Sequence, residues 1–342
     1  MGNYTLSIIA ILIAALSTPV VKKLAVRINA IDIPKDERRV HKKPIPLLGG
    51  LAIYISFIIT LILKQGMIEG RELGIIIGAT IIVIGGVIDD IKELKPGIKL
   101  IFQIVAAIVL IVSGVKINIL TNPFAGADGM VNISWFAYPF TIFWVVGITN
   151  ALNLIDGLDG LAAGVALIST ITIFVISIIY GRYEASILTA ILGGAILGFL
   201  PFNFNPASIF MGDTGAQLLG FLLAAISMVG TIKSAAAFAI SVPILALGLP
   251  IYDTLFAMIR RKVNGKPISQ GDRGHLHHRL LDLGMTQRQV VVIMYLISAI
   301  LGGIAIIAMM ISTVRSYFLM TFVLIIIVFL AWKLGFFKHK EQ

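Results

Sequence analysis

Long apolar runs constrain this chain more than any other feature of its sequence. A helix needs about 20 mostly apolar residues to cross a hydrocarbon core about 30 Å thick. Runs on that scale follow one another along nearly the whole chain, near residues 3–21, 46–63, 73–88, 99–115, 135–149, 161–180, 184–201, 215–231, 235–254, 290–311 and 316–335. Strands are disfavoured in such runs, because an open sheet edge leaves backbone groups unpaired in lipid. The sequence therefore predicts an all-α, polytopic membrane protein with about eleven transmembrane helices, forming a single domain over residues 1–342.

The composition agrees with this fold class. The chain is 58% hydrophobic and 13% charged, whereas an average soluble protein is about 25% charged. It contains no cysteine, which excludes a disulfide framework and thiolate chemistry. The first apolar run has no basic segment before it and no small-residue cleavage site after it. We therefore expect a retained transmembrane helix rather than a signal peptide.

The basic residues predict an orientation. Connections between successive spans alternate between the two sides of a membrane, and Lys and Arg accumulate on the cytoplasmic side. One alternating set of connections carries most of the 27 basic residues. This bias places the N-terminus outside and the C-terminus in the cytoplasm, and it accounts for the net charge of +10. We expect a multi-pass protein of the inner or plasma membrane, with the bilayer as a partner and no nucleic acid.

Polar residues that are unusual in so apolar a chain fall in connections on the predicted cytoplasmic side. These connections lie near residues 22–45, 89–99, 149–160, 201–214 and 259–289. Two of them contain no Lys or Arg and yet hold aspartates, which are costly at membrane depth and mark functional sites there. One Asp could simply cap a helix N-terminus, but capping explains less well why five aspartates share one side of the membrane. We therefore interpret these loops as one active site.

The residue types in these loops suit phosphate chemistry. Carboxylate and carboxamide oxygens are hard ligands for Mg²⁺, which often takes only one or two protein ligands and completes its shell with substrate phosphates and water. Lys99, Arg279 and the neighbouring histidines suit an anionic diphosphate. The residues alone therefore favour metal-assisted phosphoryl transfer at the cytoplasmic membrane surface. They leave open an ion-coupled transporter, although the acids of a transporter should lie near mid-span.

Five stretches of the sequence carry a family resemblance. In chain order they are RRVHKKPIPLLGG, GVIDDIKELKPGIKLIFQ, NALNLIDGLDGLAAG, FNFNPASIFMGDTGA and GDRGHLHHRLLDLG. Through them the chain resembles, over most of its length, the polyprenyl-phosphate N-acetylhexosamine-1-phosphate transferases. The HLHHR form is similar to the bacterial branch that initiates teichoic acid, O-antigen or enterobacterial common antigen synthesis. The alternative is the peptidoglycan branch, which uses UDP-MurNAc-pentapeptide and carries an uninterrupted histidine triplet.

A second family with an acidic membrane motif, the CDP-alcohol phosphotransferases, fits less well. Its motif begins like DGLDGLAA, but Ala163 stands where that motif requires Arg. The two further aspartates that the motif requires downstream are also missing before Asp213. We therefore keep this family only as a distant alternative.

The resemblance implies a reaction and a cofactor. The phosphate of undecaprenyl phosphate attacks the β-phosphorus of UDP-GlcNAc, UMP leaves, and undecaprenyl-diphospho-GlcNAc remains in the membrane as the first lipid-linked intermediate of a cell-envelope polysaccharide. Mg²⁺ is the implied cofactor, with Mn²⁺ as a possible substitute. A homodimer is left open, because Gly193, Gly194 and Gly198 suit close helix contact either within one chain or between two.

The resemblance also assigns the metal and catalytic roles. Asp213 of the MGDTG stretch resembles the main protein ligand of Mg²⁺, and Asn153 resembles a second oxygen ligand, although it could instead cap a helix. Asp156 is expected to tune the metal or to order its loop. Asp89 and Asp90 are the catalytic candidates. We expect both to act by positioning and electrostatics, because a phosphate with a second pKa near 6 hardly needs a base at neutral pH.

The remaining candidates are expected to bind substrate. Asp159 and Phe210 match positions that hold uracil, and Lys99 matches a lysine that contacts the diphosphate. Their alternatives are ordinary packing for Phe210 and a topology signal for Lys99 or Lys42. For the histidine loop a Zn²⁺ site is the weaker alternative, because no cysteine is available and the partner acids suit Mg²⁺ better. The full set is Lys42, Lys99, Asp159, Asn203, Phe210, His275, His277, His278 and Arg279.

Overall fold

The computed structural model describes residues 2–34, 43–121, 130–229, 241–267, 274–311 and 313–333. Within these ranges the chain forms thirteen α-helices and one 3₁₀ turn, Ser134–Phe136. The helices are α1 Asn3–Arg27, α2 Gly49–Leu63, α3 Gly70–Lys92, α4 Pro96–Val112, α5 Ala137–Ile155, α6 Leu161–Ile179, α7 Tyr183–Asn203, α8 Gly212–Val229, α9 Ser241–Ala246, α10 Gly248–Val263, α11 Leu276–Asp282, α12 Gln287–Met310 and α13 Thr313–Lys333.

Most of the predicted spans coincide with apolar helices. Among the described residues, eight helices are long and apolar enough to cross a membrane: α1, α3, α5 with the turn before it, α6, α7, α8, α12 and α13. Two more predicted spans correspond to the shorter apolar helices α2 and α4. The predicted span at 235–254 is described only from residue 241 onward, as α9 and the start of α10. The all-α, polytopic fold is confirmed, while the number of spans and their orientation stay predictions.

Strands are confined to two short antiparallel pairs in the described chain. β1 Ile31–Asp32 pairs with β2 Ile45–Pro46, with Ile31 opposite Pro46. β3 Ile119–Thr121 pairs with β4 Met130–Asn132, with Leu120 opposite Val131. Each pair joins consecutive helices at the end of the bundle, as expected if strands are excluded from lipid.

Helix α8 is the centre of the bundle. It packs against α2, α3 and α5, and all but two of its eighteen residues are buried. At Gly86 of α3, a Cβ would lie 2.4 Å from the Cα of Thr214. No larger residue fits there, so α3 approaches the first turn of α8 with backbone against backbone. This contact brings the end of α3 to the beginning of α8, where the acidic residues lie.

The small residues of α7 serve packing within the chain. A Cβ at Gly194 would lie 2.4 Å from the carbonyl oxygen of Ser7, and one at Gly198 would lie 2.3 Å from that of Ile11. Both glycines therefore receive the backbone of α1. Gly193 faces Thr170 of α6 instead, at 3.5 Å. These three glycines therefore contact helices of the same chain. They give no support to the homodimer, which stays a prediction.

Candidate active site

A cavity of about 540 Å³ gathers most of the predicted site residues. It lies where the end of α3, the start of α8 and the segments that follow α5 and α7 meet. Eight residues predicted from the sequence line it: Asp89, Asp90, Lys99, Asp156, Asp159, Asn203, Phe210 and Asp213. The helix ends thus bring together acids that are up to 124 residues apart in the chain.

Lys99 connects two of the acids. Its Nζ lies 2.5 Å from Asp89 Oδ2 and 2.5 Å from Asp213 Oδ2. Asp89 Oδ1 accepts a hydrogen bond from the backbone N–H of Leu94 at 2.7 Å, which fixes the turn between α3 and α4. Lys99 stands in the first turn of α4, so this turn sets its position. One lysine therefore neutralises part of a charge cluster that would otherwise repel itself.

Asp90 holds the N-terminus of α8. Its Oδ1 accepts from the backbone N–H of Asp213 at 2.8 Å, and its Oδ2 accepts from the N–H of Thr214 at 3.2 Å and from the Thr214 hydroxyl at 2.6 Å. The first N–H groups of a helix lack partners within the helix, and negative charge is favourable beside them. Asp90 therefore fixes the turn that carries Asp213, and its role in the reaction stays a prediction.

Asp213 and Asn153 meet directly. Asn153 Nδ2 donates to Asp213 Oδ1 at 2.8 Å, so α5 and α8 present a carboxamide and a carboxylate to the same point. Asp156 follows the last residue of α5, and its burial raises its pKa to about 8, with the charges of Asp213 and Asp90 acting in the same direction. A bound cation would offset this accumulation of negative charge.

The donor set fits a hard divalent cation. A carboxylate with a neighbouring carboxamide, beside a cavity large enough for phosphates, is the kind of partial oxygen shell that Mg²⁺ takes from proteins. No group of three or more acidic or histidine side chains converges as a closed metal cage in the described residues. Asp213 and Asn153 would therefore supply two oxygens, with a 180° rotation of the Asn153 amide, and the substrate and water the rest.

Asp159 organises the part of the cavity lining that follows α5. Its Oδ2 accepts from Asn205 Nδ2 at 3.0 Å and from the backbone N–H of Ala207 at 2.9 Å. Asn205 Nδ2 also donates to Gln287 Oε1 at 2.8 Å, and Gln287 lines the same cavity. No sequence pattern marks Gln287, because it lies three residues before an apolar run and belongs to none of the acidic stretches.

Phe210 lies in the segment between α7 and α8, and Asn203 is the last residue of α7. The N–H of Phe210 donates to the carbonyl of Pro46 at 2.8 Å, and its carbonyl accepts from the N–H of Gly49 at 2.9 Å. This pairing fixes the backbone that carries the Phe210 ring. Asn203 is buried and donates from Nδ2 to the carbonyl of Ile209 at 3.1 Å, which closes the segment on itself.

The histidine loop is held by an acid that the sequence analysis missed. Asp253 of α10 is buried, and its Oδ2 lies 2.7 Å from His275 Nδ1. Its Oδ1 accepts from the backbone N–H of Leu276 at 2.8 Å, at the start of α11. A carboxylate inside an apolar run indicates a functional site. Asp253 lies inside the predicted span at 235–254, so this pattern could have identified it from the sequence.

The histidines pack together beside the cavity. The ring centroids of His275 and His277 are 5.9 Å apart, and those of His277 and His278 are 4.2 Å apart. His277 is 1% exposed, and burial lowers its pKa to about 3, so its ring is neutral. Arg279 Nε donates to the carbonyl of Gly274 at 3.0 Å.

The structure does not place every predicted residue at the cavity. Among the described residues, the lining does not include the histidines, Arg279 or Asn153. His277 nevertheless adjoins the site, because a Cβ on the lining residue Gly157 would lie 2.5 Å from His277 Nε2. Lys42 lies outside the described residues.

These features define a class of protein. The chain is a polytopic membrane protein whose ionisable residues gather at helix ends around one cavity, rather than at mid-span as expected for a transporter. Residues 73–231 match the family described as Glycosyl transferase family 4.

Comparison with known proteins then gives the family. The chain is 41% identical over 319 residues to a probable undecaprenyl-phosphate N-acetylglucosaminyl 1-phosphate transferase of Bacillus subtilis (strain 168), covering 93% of this chain and 88% of that protein. It is 36% identical to a decaprenyl-phosphate N-acetylglucosaminephosphotransferase of Mycobacterium tuberculosis (strain ATCC 25618 / H37Rv), covering 84% and 78%. It is 31% identical to a phospho-N-acetylmuramoyl-pentapeptide-transferase of Staphylococcus saprophyticus, covering 87% and 97%. The chain belongs to the polyprenyl-phosphate N-acetylhexosamine-1-phosphate transferase family.

Proposed function

We propose that this protein transfers GlcNAc-1-phosphate from UDP-GlcNAc to undecaprenyl phosphate. An oxygen of the lipid phosphate forms a bond to the β-phosphorus, and the bond from that phosphorus to the oxygen bridging to the α-phosphorus breaks. UMP leaves with the bridging oxygen, and undecaprenyl-diphospho-GlcNAc stays in the membrane. The observation that carries this proposal is that Asp213 contacts both Lys99 and Asn153, with Lys99 and Asp213 lining one cavity.

The roles of the acids follow from their contacts. Lys99 neutralises the diphosphate. Asp89 Oδ2 lies 2.5 Å from Lys99 Nζ and holds that ammonium in place. Asp90 keeps the first turn of α8 in place and therefore keeps Asp213 pointed at the cavity. Neither acid has to remove a proton from the lipid phosphate, because a phosphate monoester with a second pKa near 6 is mostly a dianion at neutral pH.

Asp213 and Asn153 would hold Mg²⁺. When bound, the cation neutralises the diphosphate and stabilises the negative charge that develops on the leaving UMP. Asp156 shares the negative potential of this wall of the cavity, and a cation there favours its ionised form. Mn²⁺, which prefers similar oxygen ligands, would serve as a substitute.

The part of the lining around Asp159 would hold the nucleotide. Two donors fix Asp159 Oδ2, which leaves Oδ1 to accept from the uracil N3–H, while the Phe210 ring stacks on the base. His277 adjoins the lining residue Gly157, and the sugar and its phosphate would extend to this side, toward the histidine loop and Arg279. With the predicted orientation, this cavity opens to the cytoplasm, and the lipid acceptor reaches it from the inner or plasma membrane.

The donor sugar is the part of the proposal that has a competitor. The relative from Staphylococcus saprophyticus is named for a muramoyl-pentapeptide donor, and UDP-MurNAc-pentapeptide is the alternative substrate. The interrupted HLHHR stretch favours GlcNAc, as does the higher identity of the relatives from Bacillus subtilis and Mycobacterium tuberculosis, both named for N-acetylglucosamine. A teichoic acid or O-antigen type of envelope polymer would then be the product that this step initiates.

One assay tests the function and the donor together. Purified protein in detergent is mixed with undecaprenyl phosphate and Mg²⁺, and UMP release is followed in parallel with UDP-GlcNAc, UDP-GalNAc and UDP-MurNAc-pentapeptide. We expect release with UDP-GlcNAc that stops on adding EDTA. Release with the pentapeptide donor alone would transfer the protein to the peptidoglycan branch. Folded protein that releases UMP from none of the donors would refute the proposal.

A further inference from the structure

Three amide side chains, two of them buried and one partly buried, form a layer directly beneath the active site. Asn150 Nδ2 donates to Gln103 Oε1 at 2.7 Å, and Gln103 Nε2 donates to Gln217 Oε1 at 3.1 Å. Gln103 Nε2 also lies 3.4 Å from Asn150 Oδ1. Gln103 and Gln217 are 1% and 3% exposed. Gln103 is the centre of this amide layer, because it binds both α5 and α8 from α4.

Each member of the amide layer lies about one helical turn from a residue of the proposed reaction. Gln103 follows Lys99 by four residues in α4, and Gln217 follows Asp213 by four residues in α8. In α5, Asn150 precedes Asn153 by three residues. Residues three or four apart lie on the same face of a helix, and four residues correspond to about 6 Å along its axis.

The amide layer can therefore set the rotation of three helices at once. Asn150 is fixed further, since its Nδ2 also donates to the carbonyl of Val146 at 2.8 Å. The backbones of α5 and α8 touch nearby, where a Cβ at Gly220 would lie 2.6 Å from the Cα of Thr149. Helix α4 is linked to α8 by the side chain of Gln103, which donates to Gln217.

We propose that Gln103 is a positioning residue for the transferase site. Through Asn150 and Gln217 it fixes how α4, α5 and α8 face one another, and this orientation aims Lys99, Asn153 and Asp213 at one point. Gln103 is not among the residues that line the described cavity, so it acts through the residues one turn above it. The expected effect of Gln103 on turnover rests on the proposed function, whereas its effect on the orientation of the helices does not.

The alternative is that Gln103 merely fills space and pairs polar atoms. Loss of a buried hydrogen bond lowers stability wherever it occurs, so stability alone does not separate the two ideas. A matched control is available in the same helix pair. Trp144 Nε1 of α5 donates to Ser227 Oγ of α8 at 3.2 Å, in a buried position. Ser227 is ten residues, or about 15 Å, further along α8 than Gln217.

The kinetic test compares Gln103→Leu with Ser227→Ala. We expect Gln103→Leu to lower kcat about tenfold or more, while the KM for UDP-GlcNAc changes less than threefold. A loss of this size is typical of residues that orient the side chains that bind a metal. Ser227→Ala should keep the wild-type kcat, with a comparable fall in melting temperature. The double variant Gln103→Asn/Asn150→Gln, which restores an amide pair of the same total length, should recover part of the lost kcat.

A cross-linking test reads the geometry without any activity. The chain has no cysteine, so Asn153→Cys/Asp213→Cys introduces the sole thiol pair, which a short bis-methanethiosulfonate reagent joins. We expect efficient cross-linking in this background and with Ser227→Ala added, and a several-fold fall with Gln103→Leu added.

The outcomes separate the two proposals. Equal kcat for Gln103→Leu and Ser227→Ala, or cross-linking unaffected by Gln103→Leu, would overturn the positioning role. If the wild-type protein releases UMP from no donor while Gln103→Leu still abolishes cross-linking, the proposed function fails and the positioning role survives.

Discussion

The carboxylate cluster and the histidine loop are two halves of one proposed site, and they are built differently. In the carboxylate cluster, formed by Asp89, Asp90 and Asp213, Asp90 caps α8 and Asp89 binds Lys99. These contacts hold the side chains in place around the cavity. In the histidine loop, one buried acid, Asp253, holds His275 while His277 packs behind Gly157. The first half is fixed by packing of long helices, whereas in the second a buried carboxylate contacts both His275 and the backbone of Leu276.

The largest effect should come from the centre of the carboxylate cluster. Asp213→Ala removes the group that binds both Lys99 and Asn153, so we expect transfer to fall by about 1,000-fold, the upper range for loss of one electrostatic contact to a transition state. UMP release measures it. The control is Glu184→Gln, which breaks only an exposed ion pair with Arg71 at 3.3 Å. Retention of more than a tenth of the activity in Asp213→Ala would rule out this central role.

The neighbouring acids should separate in stability rather than in rate. We expect Asp89→Asn and Asp90→Asn each to lower kcat about 100-fold with little change in nucleotide binding. Only the Asp90 variant should also lose about 1 kcal/mol of stability, because it weakens a helix cap. Kinetics and melting of the two purified variants measure both effects. Near wild-type turnover of Asp89→Asn would show that its contact with Lys99 is dispensable.

Turnover should depend on Asp253, because this acid holds the histidine loop. Asp253→Asn keeps the shape but removes the charge that holds His275, and we expect about a tenfold loss of kcat, typical of residues that orient a ligand-binding histidine. The control is the adjacent Tyr252→Phe, which removes a single hydroxyl. If Asp253→Asn and Tyr252→Phe are equally active, the loop does not depend on this acid.

The two halves of the site meet at Gly157 and His277, and adding one methyl group at Gly157 should lower activity. In Gly157→Ala the new Cβ would meet His277 Nε2 at 2.5 Å, so the ring or the loop must move. We expect a loss of activity of about three- to tenfold, at the low end for displaced supporting groups. Gly147→Ala in α5 is the matched control, because nothing lies within 4 Å of its added Cβ. Identical rates for the two alanine variants would separate the histidine loop from the reaction.

The smallest effect concerns the charge of His277. Burial and the neighbouring His278 lower its pKa to about 3, so its ¹⁵N chemical shifts should stay constant between pH 8 and pH 5. In the unfolded chain this ring would take up a proton near its ordinary pKa of about 6.5. Protonation therefore favours unfolding as the pH falls below that value. Titration of His277 near pH 6.5 in the folded protein would show that the ring is solvated.

Sequence patterns anticipated the acids better than they anticipated their supports. Asp89, Asp159 and Asp213 stand out because carboxylates are rare in so apolar a chain. Gln103 and Gln287 do not stand out, because an amide carries no charge and fits helices generally. Their contacts join residues more than 40 positions apart, and no local pattern encodes such a pairing.

The sequence by itself determined the apolar helices, the family and the side of the bundle on which the acids lie. These follow from hydropathy, from motif order and from the position of each polar residue relative to a span, all of which are local properties of the chain. Only the tertiary structure decided which partner each acid contacts. Asp89 and Asp90 are adjacent in sequence, yet one faces Lys99 and the other caps α8, because successive residues of a helix point about 100° apart and each meets a different neighbour.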